Sequence, residues 1–493
     1  MSGNGRGTMN EMTSRRRAVV LGVCCVSVLL VGIDMTAVNV ALPAIGRDFR
    51  TGVDGLSWTI DAYTLTLAAL LMFSTSTADR FGRKRTFAFG LGLFVVGSGL
   101  CAIAPSLGWL VVFRVIQAIG GSSMNPVAMA IITTTFPESG ARARAIGVWA
   151  GVTGLALAVG PIAGGALVSS SLGWRWIFAI NIPIGLVNIL VASFAVKESR
   201  GPRARRADPV GQLLVMALLI GLTYAIIEGG KSGWTAPGVI TGFAVAAAAV
   251  IGIRLYEPRR ADPMLELRLF RSVPFTGANL IAIAAFAILG SFLFLNSLYL
   301  QQGLGYSALH AGLMITPLAV VSVIYGPVNG RILARFGARP CLAVAAVAYV
   351  IAGLMLTRVS GTTPTWWLLV AYALVGLGNS GVGAPITHTA LGGIPRSQVG
   401  LASGMNSATR QVGTTLGVAI ASVTLGAYAS GTGTGLAHAT HAGWWLVTGY
   451  GVLVLALGLA TTTRWAERTA TAVAASWASP DPAAPAVPDP SQS

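Results

Sequence analysis

The sequence predicts an all-α membrane protein of about fourteen transmembrane helices with both termini in the cytoplasm. Three observations predict it. Hydrophobic residues make up 54% of the 493-residue chain and charged residues only 10%. A soluble domain of that size cannot hide so much apolar surface with so little charge outside. Apolar runs of about 20 residues, the length that crosses a bilayer as a helix, recur between short polar loops. With the N-terminus inside, 26 of the 33 lysines and arginines fall in cytoplasmic segments, five fall outside and two lie within helices. That asymmetry is the positive-inside rule, and it requires an even number of spans. It also accounts for the net charge of +17. The basic residues face the cytoplasmic lipid surface, so the charge does not point to nucleic acid.

The predicted spans are 18–44, 56–78, 86–105, 109–134, 145–168, 177–196, 210–229, 237–255, 275–300, 310–330, 340–358, 366–388, 399–427 and 443–463. Arg15, Arg16 and Arg17 precede the first span like the start of a signal peptide. No small-residue cleavage site follows a short core, so the first span is expected to remain. An internal repeat orders the rest. Asp79-Arg80-Phe81-Gly82-Arg83 follows the second span, and Ala334-Arg335-Phe336-Gly337-Ala338 follows the tenth. The offset of eight spans implies a six-helix unit, two inserted helices and a second six-helix unit, a parallel repeat of the kind transporters use. The expected organisation is a cytoplasmic tail (1–17), an N-terminal half (18–196), a linker carrying the inserted pair (197–273), a C-terminal half (274–463) and a disordered cytoplasmic tail (464–493). Cys24, Cys25, Cys101 and Cys341 all lie in apolar runs, so no disulfide framework is implied. Gly229-Gly230-Lys231-Ser232 lacks the first glycine of a phosphate loop, since Ala225 stands there. His438 and His441 alone do not make a metal site, and none is expected.

The fifth span is crowded with small residues: Gly154, Ala156, Gly160, Ala163, Gly164 and Ala166. These let another helix backbone come close. Pro161 removes a donor in mid-helix, which membrane helices tolerate when neighbours satisfy the freed carbonyl. Four charged residues lie within apolar spans, away from the last two residues at either end: Asp34, Asp61, Arg114 and Arg410. A charge near the bilayer centre costs at least ~3 kcal/mol, so its default reading is functional. Helical rise places Asp34 about 25 Å from Arg17, Asp61 about 27 Å from Asp79, Arg114 about 34 Å from Pro137 and Arg410 about 21 Å from Arg396. All four heights fall between mid-membrane and the outer half, so the expectation is that two carboxylates and two guanidiniums share one cavity. Arginine stays charged and can gate but not carry a proton.

Gly160-Pro161-Ile162-Ala163-Gly164-Gly165, with Trp174-Arg175-Trp176 and Asn181-Ile182-Pro183 after it, resembles the fifth-helix antiporter motif of the major facilitator superfamily. The likeness is greatest to its fourteen-span drug:proton antiporter branch. Gly32-Ile33-Asp34-Met35-Thr36 through Pro43, Trp58-Thr59-Ile60-Asp61-Ala62-Tyr63, Tyr299-Leu300-Gln301-Gln302 and Gly400-Leu401-Ala402-Ser403-Gly404 through Arg410 are similar to the same branch. Arg114-Val115-Ile116-Gln117 resembles the superfamily motif whose arginine is linked to proton transfer. Asp79, Arg80, Gly82 and Arg83 resemble the signature between helices two and three, a charge latch expected to hold the halves together on the cytoplasmic side.

The resemblance implies the major facilitator fold and a secondary antiporter, not an enzyme. It would export drug-like or antibiotic small molecules across a bacterial plasma membrane, giving resistance. The proton gradient would drive it without a cofactor, and its partners would be small-molecule substrate, protons and lipid. A functional monomer is expected. Asp34 is expected as the main proton carrier, with Asp61 contributing and Arg114 tuning both. Asn39, Trp58, Tyr63, Gln117, Asn181, His388, Asn406 and Arg410 are the substrate-cavity candidates. Rival readings are a metabolite exporter for a siderophore or amino acid, a membrane-embedded enzyme, and a non-transporting sensor.

Overall fold

The structure is a computed structural model and describes residues 13–200, 208–260, 263, 265–394, 398–426 and 434–478. The regular structure of these residues is helical. The N-terminal half runs α1 (Ser14–Phe49), α2 (Val53–Phe81), α3 (Arg83–Ala102), α4 (Leu107–Thr135), α5 (Ser139–Ser169), α6 (Trp176–Ala179) and α7 (Asn181–Ala195). The inserted pair is α8 (Pro209–Ser232) and α9 (Pro237–Tyr256). The C-terminal half runs α10 (Val273–Leu298), α11 (Ala308–Met314), α12 (Thr316–Phe336), α13 (Ala338–Leu356), α14 (Thr365–Leu391), α15 (Val399–Gly426) and α16 (Thr434–Thr461). A last helix, α17 (Arg464–Ala478), follows it.

Among the described residues, thirteen segments are long and apolar enough to cross a membrane. The remaining predicted span, 399–427, is α15, a helix of 28 residues. Its many Ser, Thr, Asn and Gln residues and Arg410 lower its hydropathy, but at 1.5 Å per residue it is long enough to span. Two predicted spans are broken. The span 177–196 is α6 plus α7, interrupted beside Pro183, and 310–330 is α11 plus α12, interrupted before Pro317. In each, proline removes a donor from the first turn of the second piece.

The repeat holds at the backbone. Gly82, between α2 and α3, has φ +109°, and Gly337, between α12 and α13, has φ +78°. Both sharp turns need a residue free to take positive φ, which glycine does at little cost. The inserted pair begins at Asp208, whose Oδ1 accepts from the Gly211 amide at 2.9 Å. With Pro209 next, this is a capped helix start.

The tail expected to be disordered over 464–493 is corrected in part. Residues 464–478 form α17, and the residues after it lie outside the described set, as do 1–12 of the predicted N-terminal tail. Ala466, Ala470 and Val473 recur at helical spacing and are buried. The helix also ties itself to the start of α10, where the Val273 amide donates to Thr469 Oγ1 at 3.0 Å. An amphipathic stripe of this kind holds a helix that sequence composition alone suggests is loose.

In the N-terminal half, α1 packs on α5 and α4 on α2 and α3; in the C-terminal half, α10 packs on α15 and α16, and α14 on α12 and α13. The halves meet along two seams. One joins α2 to α15, and the other joins α5 to α11 and α12. The inserted helix α8 lies over the first seam and touches both α2 and α15.

Candidate functional site

Asp34 of α1 is fully buried, and so is Arg114 of α4. Arg114 Nη1 donates to Asp34 Oδ2 at 2.5 Å. The second carboxylate oxygen is also engaged: Gln117 Nε2 donates to Asp34 Oδ1 at 2.8 Å and Asn181 Nδ2 at 3.4 Å. Gln117 Nε2 also reaches Ser98 Oγ at 2.8 Å, while its Oε1 accepts from Arg114 Nη1 at 2.7 Å. Arg114 Nε donates to the Thr59 carbonyl at 3.2 Å. The guanidinium lies 3.9 Å from the Tyr63 ring centroid and 5.5 Å from that of Phe178. α1, α2, α3, α4, α6 and α7 thus each contribute to one cluster. Taking two charges out of water costs several kcal/mol per ion, and this geometry offsets it with hydrogen bonds to both oxygens.

Arg114 and Gln117 stand three residues apart, so they share one face of α4. Ser98 and Phe178 complete the cluster, and sequence reasoning missed both. Nothing local marks a serine in an apolar helix as a partner of a glutamine on the next one.

Six expected members lie elsewhere. Asp61 is buried, yet neither of its carboxylate oxygens has a partner among the described residues. Tyr63 faces Arg114, and a residue two positions away on a helix points roughly to the opposite side, by the 3.6-residue turn. Asp61 therefore faces the α2–α15 seam, so height put it level with Asp34 but on the wrong face. Trp58 packs its ring 6.4 Å from that of Tyr224 on inserted helix α8. Arg410 sits in a separate cluster of the C-terminal half. Its Nη2 donates to the Gly383 carbonyl at 3.1 Å, Thr387 Oγ1 at 2.7 Å and Asn406 Oδ1 at 3.3 Å. The expectation of one shared cavity with two carboxylates and two guanidiniums is thus corrected to one ion pair, one lone carboxyl and one lone guanidinium. Asn406 is buried beside Asn279, and His388 is exposed near the end of α14.

Asn39 has a different part from the one expected. Its side chain donates back to the Met35 carbonyl at 2.9 Å. Pro43 lies in the same helix four residues on and cannot donate to the Asn39 carbonyl. Ser297 Oγ of α10 does so instead, at 2.5 Å. Gln301 Nε2 donates to the next carbonyl, Val40, at 2.9 Å. Gln301 belongs to a π-helical turn, Tyr299–Gly303, that ends α10. Such turns re-aim side chains and are frequent at functional sites. A proline defect in one half is thus closed by donors from the other.

The α5 seam is as tight as its small residues imply. A Cβ on Gly164 would lie 2.8 Å from Ala37 Cβ, and one on Gly165 2.8 Å from Leu309 Cα of α11. A Cβ on Gly160 would lie 3.0 Å from Thr36 Cβ, and one on Gly312 of α11 2.8 Å from the Pro161 carbonyl carbon. The Leu309 amide donates to Ser169 Oγ at 3.0 Å. α5 is held between α1 of its own half and α11 of the other. These contacts lie toward the outside, so the halves are closed there.

The cytoplasmic latch is corrected. Arg83 Nη2 meets Asp79 Oδ1 at 3.0 Å, and Arg83 Nη1 donates to the Ala130 carbonyl of α4 at 3.2 Å. Arg80 lies over the Phe81 ring. The turn beside Gly82 is gripped by Glu198, which accepts from the amides of Lys84 at 3.0 Å and Arg85 at 3.3 Å. A carboxylate at a helix N-terminus satisfies donors that the helix leaves free. All these partners belong to the N-terminal half or to the start of the linker, so the motif staples α2, α3, α4 and the segment after α7, not the two halves.

Two tightly packed six-helix units, the first enclosing a buried ion pair, can be set against known proteins. The family model described as Major Facilitator Superfamily matches residues 24–418. The chain belongs to that superfamily. It is 34% identical over 419 residues to the Multidrug resistance protein Stp of Mycobacterium tuberculosis (strain ATCC 25618 / H37Rv), covering 85% of this chain and 78% of the relative. It is 32% identical over 394 residues to the Methylenomycin A resistance protein of Streptomyces coelicolor, covering 80% and 82%. Among solved structures it is similar to a bacterial homologue of the human lysosomal transporter Spinster in an inward-facing, unoccupied conformation. The TM-score there is 0.61 at 19% identity, over 94% of this chain and 99% of the other. That likeness concerns the fold. As a superfamily member with these spans, the chain is a multi-pass membrane transporter and not an enzyme.

Proposed function

We propose that this protein is a secondary antiporter of the bacterial plasma membrane that exports drug-like or antibiotic small molecules in exchange for protons and so confers resistance. Relatives named for multidrug and antibiotic resistance supply the substrate class. The observation that carries the coupling is the buried Asp34–Arg114 pair. The carboxylate there is held by a positive charge and neutral amides, so any substrate or movement that draws Arg114 away leaves it needing a proton. Arg114 tunes Asp34 and Asp34 exchanges the proton. The proton gradient is the energy source, no cofactor takes part, and the monomer is the working unit.

The test uses purified protein in proteoliposomes with a trapped pH dye and a panel of antibiotics. Adding a transported compound should move protons in the opposite direction, and a protonophore should abolish accumulation. Substrate transport with no proton movement would refute the reading.

A further inference from the structure

Building on the export proposed above, we infer that Arg410 is an anion site on the wall between the halves. The exported compound is then an amphipathic organic acid, an apolar body carrying one carboxylate or enolate, and not a cation. Between Glu266 and Glu467 the chain contains no Asp or Glu, although arginines recur there. Arg410 lies near the middle of α15. The C-terminal half thus holds a cation at membrane depth and no acidic residue to neutralise it. Charged residues in membrane helices pair with one another or with backbone carbonyls, and those that line a pathway mark what passes.

The carbonyl pairing of Arg410 is incomplete. All its hydrogen bonds run from one nitrogen, Nη2, to the Gly383 carbonyl, Thr387 Oγ1 and Asn406 Oδ1. Nη2 carries two of the five guanidinium N–H donors. Nε is buried without a partner among the described residues. Neutral acceptors on one nitrogen fix the direction of the group and leave its charge uncompensated. A carboxylate would meet the remaining donors with charge-assisted bonds. The site is also reachable. Gly383 and Thr387 of α14 are half-buried, and Ala384 and His388 beside them are exposed. Within its half α14 is flanked by α10, α12, α13 and α15, so this open stripe faces the space between the halves.

The acids of the N-terminal half and the inserted pair are placed elsewhere. Asp34 is committed to Arg114, and Asp79 to Arg83. Glu228 of α8 lies near the outer end, bonded by Ser232. Asp61 is on the helix that meets α15, but at another height. Thr64 and Thr415 touch across that seam at 2.8 Å. α2 runs inward and α15 outward, so Asp61 lies three residues to the outside of this contact and Arg410 five to the inside, about 12 Å apart along the seam. His388 on the open stripe can add positive charge but not negative. A bound anion is therefore what balances Arg410. A cation would be repelled there, and a neutral compound would leave the charge unanswered. The Phe286 ring, 5.4 Å from the guanidinium, offers an apolar surface beside it.

The test titrates the full-length protein in nanodiscs with three fluorescent probes that share one apolar ring system: pyrenebutyrate, pyrenebutanol and pyrenebutyl-trimethylammonium. Empty nanodiscs give the blank. The anion should bind about tenfold or more tighter than the alcohol, the effect of a hydrogen-bonded charge, and the cation should bind weakest. Arg410→Gln should bring the anion to the level of the alcohol, and Arg410→Lys should keep part of the preference. Thr387→Asp sets a carboxylate beside Nη2 and should cancel the preference with Arg410 still in place, so the result does not hang on one variant folding. Equal binding of the three probes, or a preference that survives Arg410→Gln or Thr387→Asp, overturns the proposal. Full displacement of pyrenebutyrate by an equal concentration of acetate would mark a small-anion site that does not choose the compound, and overturns it too. In proteoliposomes pyrenebutyrate should drive proton movement. Arg410-dependent binding without proton movement would refute the exchange and leave the anion site standing; proton movement driven equally by all three probes would do the reverse.

Discussion

Asp34 and Arg114 hold each other, and the two do not respond alike to substitution. Arg114→Ala leaves a buried carboxylate with only neutral donors, a loss of roughly 3–5 kcal/mol for a broken buried pair. We expect a clearly lower melting temperature in detergent together with loss of coupled transport. Asp34→Asn keeps the shape and can still meet Gln117 and Asn181, but it strands the Arg114 charge and cannot exchange a proton. It should stop proton-driven export while retaining substrate binding. Asp34→Asn combined with Arg114→Gln removes both charges and should recover much of the stability but none of the coupling. Thermal unfolding followed by fluorescence, alongside pH-dye flux, reads both quantities. Recovery of transport in the double variant would show that the pair serves only to hold the fold.

At the scale of elements, helix contacts within and across the halves set how closure works. Gly164→Leu should abolish export while the protein still inserts, since even a Cβ meets Ala37 backbone within 3.0 Å. Normal resistance at normal expression would contradict this. Ser297→Ala removes the donor to the carbonyl that Pro43 frees, leaving a buried acceptor unpaired at a cost of about 1–3 kcal/mol. The cost falls on the outside-closed state alone, so the population should shift toward outside-open by about fivefold or more. A thiol reagent applied from outside should then label a cysteine placed at Gln301 faster in Ser297→Ala than in its parent; equal rates would rule out the lock.

These elements also show what the sequence makes legible. Glycine takes the strongly positive φ of these two turns at little cost, so the Arg-Phe-Gly repeat at Gly82 and Gly337 exposes the two halves directly. The close approach of α5 is likewise written in Gly160, Gly164 and Gly165, because only small residues permit it. Depth is legible too, as rise per residue is fixed, and Asp34 and Arg114 meet as their heights suggest. Direction is harder. Asp61 and Tyr63 differ by two residues and so face apart, yet which face meets Arg114 depends on how α2 is rotated against α4. Ser98, Glu198 and Ser297 are invisible for a related reason: their partners are distant in sequence, and nothing periodic marks them. The amphipathic α17 was hidden by an adjoining Pro/Ala-rich composition.

At the scale of the whole molecule, the contacts between halves imply a motion. Ser297 with Asn39, Gln301 with Val40, Leu309 with Ser169 and Gly165 with Ala308 all join the halves toward the outside. The Asp79–Arg83 staple lies within one half and does not oppose their parting at the cytoplasmic end. Alternating access by rocking halves therefore requires the outer contacts to break once per cycle. Cysteines at Ser169 and Leu309, in a background lacking Cys24, Cys25, Cys101 and Cys341, place two thiols across this seam. Oxidation should link α5 to α11 without disturbing the Asp34 cluster, because neither residue touches it. Export should stop on oxidation and return with reductant, while each single cysteine variant transports throughout. Binding of substrate from the cytoplasmic side should survive the link, since only outward opening is blocked. Full transport by the linked protein would mean that the outer seam never opens, and the rocking mechanism would have to be given up.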